Sequence, residues 1–304
     1  MSTVPSVYQK KALRRFARRT VNGIPGVIHV RSPIVGPTVG ITVCTHGNEP
    51  AGLAAISYLL DEVDIAHTLS CGDVYLVINN LAAAKQFTRF VDIDMNRLPS
   101  DMAVSRQADS EVVRAKQLLP IWRKFDIGLD IHSTTAKAPP MLVVVGSHLH
   151  HDLVKGFPIS TVITNIDQVQ RGKPASAYYG RGNARVFGIE AGQHKSESAA
   201  ICAKRCVIAL LQNLGMLAGK SGKSRQYAEY KVVQGVILPN ESYETPADGF
   251  PNFGSIKKGT LIARGNGPDI VMPFDGHTIM HNSKKRPTDP LNETLFITEP
   301  VRQY

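Results

Sequence analysis

Residues 38–49 read Thr-Val-Gly-Ile-Thr-Val-Cys-Thr-His-Gly-Asn-Glu, and Pro50–Val63 continue as Pro-Ala-Gly-Leu-Ala-Ala-Ile-Ser-Tyr-Leu-Leu-Asp-Glu-Val. A short uncharged run rich in β-branched residues predicts a buried strand over Thr38–Thr45. Proline in the first turn, followed by apolar residues at helical spacing, predicts a helix over Pro50–Val63. A buried strand that enters a helix through a polar turn is the basic unit of an α/β protein. The pattern recurs outward from this stretch. Asp73–Asn79, Phe125–Ile131, Met141–Val145 and Val186–Glu190 read as strands, and Ser110–Lys124 and Glu197–Leu217 as helices, with Asp109 or Ser110 capping the first of these. Residues 80–110 and 166–184 are polar and loop-rich. The alternation predicts an α/β fold with a mixed or mostly parallel sheet flanked by helices.

The texture changes near residue 218. Residues 218–225 (AGKSGKSR) form a small, polar linker, and beyond it short alternating segments at Lys231–Leu238, Gly259–Ala263, Thr278–Met280 and Leu295–Ile297 stand between turn signals. The expected organisation is a basic N-terminal arm over 1–22, an α/β domain over 23–217 and a small β-rich C-terminal domain over 218–304.

The chain has 304 residues and a net charge of +10, and 43% of it is hydrophobic. This excludes a disordered or fibrous chain and allows a large core without disulfide staples. The charge alone points equally to nucleic acid, a membrane surface or an anionic small substrate. Six cations, Lys10, Lys11, Arg14, Arg15, Arg18 and Arg19, account for more than half of it and fall on one helical stripe beside Leu13 and Phe16. The segment shares its basic, acid-free character with transit peptides, but a solvated N-terminal helix or arm is the favoured reading. No apolar stretch of secretory-leader type stands there. Four cysteines without a CxxC pair suit a reducing compartment, so a cytoplasmic location is expected.

In open α/β sheets, functional residues gather beyond the carboxyl ends of strands. The strand Thr38–Thr45 delivers His46 and Glu49, an imidazole and a carboxylate that can share one zinc ion. The strand ending at Ile131 delivers His132, a candidate third ligand, and two His with one Glu leave the open position of a catalytic zinc site. Asp130 lies on the same strand face as His132 and is a candidate acceptor for an imidazole N–H. The strand ending at Glu190 delivers a carboxylate from apolar surroundings, suited to a general base. Arg89, Asn96 and Arg97 suit carbonyl polarisation and carboxylate binding; the alternative is a surface network of Arg89 and Arg97 with Asp92 and Asp94. The histidines at 148, 150 and 151 read as a solvated loop, His277 and His281 as structural, and His194 and Lys195 as open to substrate contact. The stretch Ala218–Ser224 mimics a phosphate loop but follows a helix, so nucleotide binding is rejected.

Four motifs occur in order: HGNE at 46–49, RxVDxDMNR at 89–97, DIHSTT at 130–135 and GIEAG at 188–192. Together they resemble the succinylglutamate desuccinylase/aspartoacylase family, a branch of the zinc carboxypeptidase-like hydrolases, from about residue 38 to 217. The resemblance implies a three-layer carboxypeptidase-like mixed sheet flanked by helices. It implies one zinc per chain on His46, Glu49 and His132, with Glu190 as general base and proton donor and Arg89 polarising the scissile carbonyl. Asn96 and Arg97 would hold a substrate carboxylate, with Tyr178 and Arg181 as further substrate contacts. The implied activity is hydrolysis of the amide of a small anionic N-acyl amino acid, with no nucleic acid or membrane span and with homo-oligomerisation left open. The rivals are a zinc carboxypeptidase acting on peptide C-termini and a basic nucleic-acid- or membrane-binding protein.

Overall fold

In the computed structural model of the chain, the described residues are 7–101, 108–135, 137–146, 149–180, 182–281 and 293–303. Eleven strands run as one path of hydrogen-bonded neighbours. In chain order they are β1 Val27–Arg31, β2 Thr38–Val43, β3 Asp73–Ile78, β4 Ile127–Thr134, β5 Met141–Val144 and β6 Thr161–Thr164. There follow β7 Arg185–Gln193, β8 Ala228–Val236, β9 Gly254–Ile256, β10 Gly276–Ile279 and β11 Leu295–Thr298. The order across the sheet is β9-β10-β11-β8-β6-β5-β7-β4-β2-β3-β1. The central strands β3, β2, β4 and β7 are parallel, so their carboxyl ends lie together. Strand β5 runs antiparallel to β7, and β1 antiparallel to β3. The sheet is mixed, as the alternating pattern predicts.

Four longer helices are α1 Val7–Ala17, α2 Ala51–Asp61, α3 Ser110–Trp122 and α4 Glu197–Asn213. Period-two alternation divides the central strands between two cores. Ile41, Val43, Ile131 and Ile189 pack with Leu53 and Ile56 of α2, Cys206 and Leu210 of α4 and Phe16 of α1. On the other face Tyr75 and Val77 pack with Val112, Leu118 and Trp122 of α3. Each such large apolar side chain stabilises the fold by roughly 1.5–3 kcal/mol on burial, and the result is helix, sheet and helix in three layers. The basic stripe belongs to a docked helix: Leu13 and Phe16 of α1 are buried while Lys10, Lys11, Arg14, Arg18 and Arg19 face solvent, and Arg15 pairs with Asp61 of α2.

Residues 220–227 have no regular structure, and the chain then enters β8. The first half of β8 pairs in parallel with β6 and the second half antiparallel with β11, so the C-terminal strands extend the same sheet. Leu261–Ala263 and Ile270–Val271 form a separate two-stranded ribbon. His277 and Thr278 lie on β10, a strand and not a helix, as the glycine and β-branched neighbours of the His277/His281 pair suggest.

Candidate active site

The carboxyl ends of β2, β4 and β7 bring His46, Glu49, His132 and Glu190 together. The loop Cys44–Pro50 turns sharply into α2, and Gly47 sits where a Cβ would stand 2.1 Å from the Ala83 backbone carbonyl carbon. Only glycine lets the turn lie against the helix Leu81–Gln86. The turn faces His46 and Glu49 toward each other, with His46 Nδ1 2.7 Å from Glu49 Oε1. From the neighbouring strand, His132 Nδ1 lies 2.9 Å from Glu49 Oε2. One ligand atom from each of the three residues falls within 4.8 Å of the others, and all three residues are buried.

The far nitrogen of each ring meets an aspartate. His46 Nε2 is 3.1 Å from Asp94 Oδ1, and His132 Nε2 is 3.0 Å from Asp130 Oδ2. Such acceptors orient each ring, with Nε2 donating to its aspartate and Nδ1 turned inward to face Glu49. Burial would lower the pKa of His132, but Asp130 and Glu49 outweigh it and hold it well above the usual value; His46 is raised in the same manner, against burial and Arg89, by Glu49 and Asp94. Burial would raise Glu49, yet His46 and His132 hold it well below the carboxylate range. The raised values keep each ring protonated in the metal-free protein, so two imidazolium charges and the Arg89 guanidinium stand against the carboxylates of Glu49, Asp94 and Asp130. A divalent cation at the two Nδ1 atoms and Glu49 would take the place of the two Nδ1 protons and leave the net charge of the buried group unchanged. The donor set therefore fits a metal ion.

Glu190 stands directly beside His132 in the β4–β7 register. Its Oε2 is buried without a hydrogen-bond partner, and burial, followed by the Glu49 charge, pushes its carboxyl up to about 7 against the pull of His132, His46 and Arg89. Arg89 is fixed by Asp94, to which it donates from Nε at 3.0 Å and Nη2 at 2.9 Å, while Nη1 lies 3.7 Å from Glu49 Oε1. The alternative of an Arg/Asp network at 89–97 is thus partly realised, but as a buried support of His46: Asp94 bridges His46 and Arg89 and also accepts from the Asn96 backbone N–H.

Asn96 turns its backbone oxygen toward Arg97 and Gln170, and its side-chain oxygen is buried without a partner. Arg97 donates from Nη2 to Glu293 at 2.6 Å, a carboxylate that also accepts from the Arg171 backbone N–H. Tyr178 donates its hydroxyl to the Pro99 carbonyl oxygen and so pins the turn after Arg97. Arg181 and His148 lie outside the described residues. Cys44, buried beneath the turn, has its thiol pushed up by burial, then by Glu49 and Asp130, and does not act as a thiolate.

Several residues of the site escape sequence reasoning. The Glu111 carboxylate, wholly buried in the first turn of α3, accepts from the backbone N–H groups of Val91, Asp92 and Ile93 and from Asn80 Nδ2 at 2.7–3.1 Å. It holds the loop that carries Arg89 and Asp94. Beneath His132, Asp130 accepts from Thr42 Oγ1 at 2.7 Å and Thr45 Oγ1 at 2.9 Å. Tyr179, next to the residue singled out, donates to Thr42 Oγ1 and accepts from Asn79 Nδ2. Polar residues on or just past the apolar strands β2 and β3, Thr42, Thr45 and Asn79, were the available signal, because a buried hydroxyl or amide demands a partner.

This is a mixed α/β protein with a buried His-Glu-His group at the carboxyl ends of parallel strands. Residues 35–210 match the family model described as the succinylglutamate desuccinylase/aspartoacylase catalytic domain. The match covers more than half of the chain, which belongs to that family of N-acyl amino acid hydrolases. A succinylglutamate desuccinylase of Pseudoalteromonas atlantica is 26% identical over 291 residues, covering 84% of this chain and 80% of that relative. The structure of succinylglutamate desuccinylase from Vibrio cholerae superposes with a TM-score of 0.74 at 12% identity, covering 98% of each chain. Murine aminoacylase 3 superposes with a TM-score of 0.64 at 19% identity, covering 90% of this chain and 97% of that one. At such identities the structural likeness concerns the fold. No helix among the described residues is long and apolar enough to cross a membrane.

Proposed function

We propose that the chain is a zinc-dependent hydrolase of the amide bond in a small N-acyl amino acid or a related carboxylate-bearing amide. The observation that carries this reading is Glu190, paired with His132 on one rung of the sheet, its Oε2 buried and unpartnered beside the His46–Glu49–His132 group. His46, Glu49 and His132 would hold the zinc. Zinc bound there supplies Lewis acidity, which lowers the pKa of water and polarises a carbonyl oxygen.

Glu190 takes the proton from the attacking water and then gives it to the departing amine nitrogen. As the water oxygen adds to the carbonyl carbon and the C–N bond breaks, the proton leaves on the amine. A carboxyl near 7 serves as acceptor and as donor. Arg89, locked by Asp94, presents a fixed positive charge to the oxygen on which negative charge develops. Asn96 and Arg97 would hold the substrate carboxylate, with Glu293 already neutralising part of the Arg97 charge. The Tyr178 hydroxyl donates to the Pro99 carbonyl oxygen, so Tyr178 would have to exchange that bond to serve as a substrate contact. Arg181 rests on the family resemblance alone.

The test is Glu190→Gln, assayed on acetyl, succinyl and aspartyl amides with zinc content measured alongside. Turnover should fall by roughly 10²–10⁴ with zinc retained. Turnover near that of the parent would remove Glu190 from the reaction. Efficient cleavage of longer peptides would favour the carboxypeptidase reading.

A further inference from the structure

Strands β4 and β7 pair in parallel without interruption up to His132 and Glu190, and the next pair is Thr134 with Gln193. Between the two pairs β4 advances two residues and β7 three, so β7 carries one extra residue immediately after Glu190. Gly192 lies in this bulge with φ +118°, a backbone that side-chain-bearing residues rarely adopt. A bulge re-aims the side chains next to it and interrupts the ladder that would otherwise hold them.

His194 closes the interruption. Its backbone N–H donates to the Thr134 carbonyl oxygen at 2.9 Å. Its ring Nδ1 lies 2.9 Å from Ser133 Oγ, and Nε2 lies 3.2 Å from Thr135 Oγ1. One residue past the bulge therefore holds all three residues that follow His132. Ser133 also ties this segment to the metal-binding group, since its backbone N–H donates to Glu49 Oε2 at 3.1 Å. A neutral imidazole can accept from one hydroxyl while donating to the other, and burial keeps His194 on the neutral side.

We propose that His194 is a positioning residue, whose ring clamps Ser133 and Thr135 across the bulge and thereby fixes the Glu190 carboxylate against His132. The consequence for turnover rests on the reading of Glu190 as proton acceptor. The clamp itself does not. A carboxylate displaced by about 1 Å loses on the order of 10²-fold in rate, so His194 acts on the chemical step with little effect on substrate affinity.

The experiment compares His194→Ala, His194→Asn and Ser133→Ala with the parent enzyme. Hydrogen exchange is followed by mass spectrometry in peptides covering 131–140 and 188–196, and kcat, KM and zinc content are measured on an N-acyl amino acid. For His194→Ala, faster exchange confined to those two segments is expected, with kcat lowered roughly 10- to 100-fold, KM nearly unchanged and zinc retained. His194→Asn, which keeps one bond to a hydroxyl, should recover part of kcat, and Ser133→Ala should lose in the same direction as His194→Ala. Unchanged exchange in His194→Ala overturns the clamp, whatever the reaction. Faster exchange with kcat unchanged, in an enzyme that Glu190→Gln inactivates, overturns the positioning role. If Glu190→Gln turns over like the parent, the proposed function fails, and exchange still decides the clamp.

Discussion

Glu190 is the residue at which burial and charge oppose ordinary behaviour most usefully. Its carboxyl is raised from 4.5 to about 7 because the ionised form is desolvated and faces Glu49. A raised folded-state value stabilises the fold fully below the unfolded value and loses that contribution as pH rises through the folded one. In metal-stripped protein, Glu190→Gln should therefore match the parent in stability below about pH 4.5. It should be the more stable by on the order of 3 kcal/mol near pH 8. Denaturant unfolding across this range measures the difference; parallel pH profiles would mean that the carboxyl is not held neutral. His46 and Glu49 were legible from sequence, because three residues of tight turn after a buried strand leave little choice of direction. Asp94 was visible in the same motif, but its bridge from Arg89 to His46 spans two loops and needed coordinates.

At the scale of elements, α3 matters for its first turn. Glu111 satisfies three consecutive amides of the 91–93 loop and one side-chain amide, so Glu111→Ala would leave buried donors without acceptors. The expected loss is at least about 3 kcal/mol of stability, with a disproportionate fall in turnover because Arg89 and Asp94 ride on that loop. Equilibrium unfolding together with kinetics of the surviving fold would test both parts. No spacing rule connects a helix-start Glu to amides 18–20 residues earlier, which is why sequence reasoning passed it by. Helix α1 makes the complementary point. The basic stripe was plain from spacing, yet the side that determines its docking is Leu13 and Phe16. Phe16→Ala should cost about 3–5 kcal/mol, whereas Arg14→Gln and Arg18→Gln on the exposed side should each change stability by less than about 0.5 kcal/mol.

Across the whole molecule, the parallel centre of the sheet gathers residues that the chain keeps far apart. His46, His132 and Glu190 come from three strands, Arg89 and Asp94 from a loop held by α3, and Glu293 reaches Arg97 from the C-terminal end of the chain. A divalent ion at this junction would bind the assembled fold and not the unfolded chain. Zinc at a hundredfold excess over its dissociation constant should then stabilise the fold by about 2.7 kcal/mol. Chelator should lower the melting temperature and abolish hydrolysis, and zinc should restore both. A melting temperature indifferent to zinc would remove the metal from the three ligands. By itself the sequence determined most of the central strands, the helices α2, α3 and α4 and the four motif clusters, because burial and backbone periodicity are local properties, but it did not mark β1, β6 or β9. Only the tertiary structure decided which carboxylate supports which imidazole, that Arg97 is already paired with Glu293, and that Tyr179 rather than Tyr178 enters the network beneath the site. Those are contacts between distant segments, fixed by sheet order and register, and no local pattern encodes them.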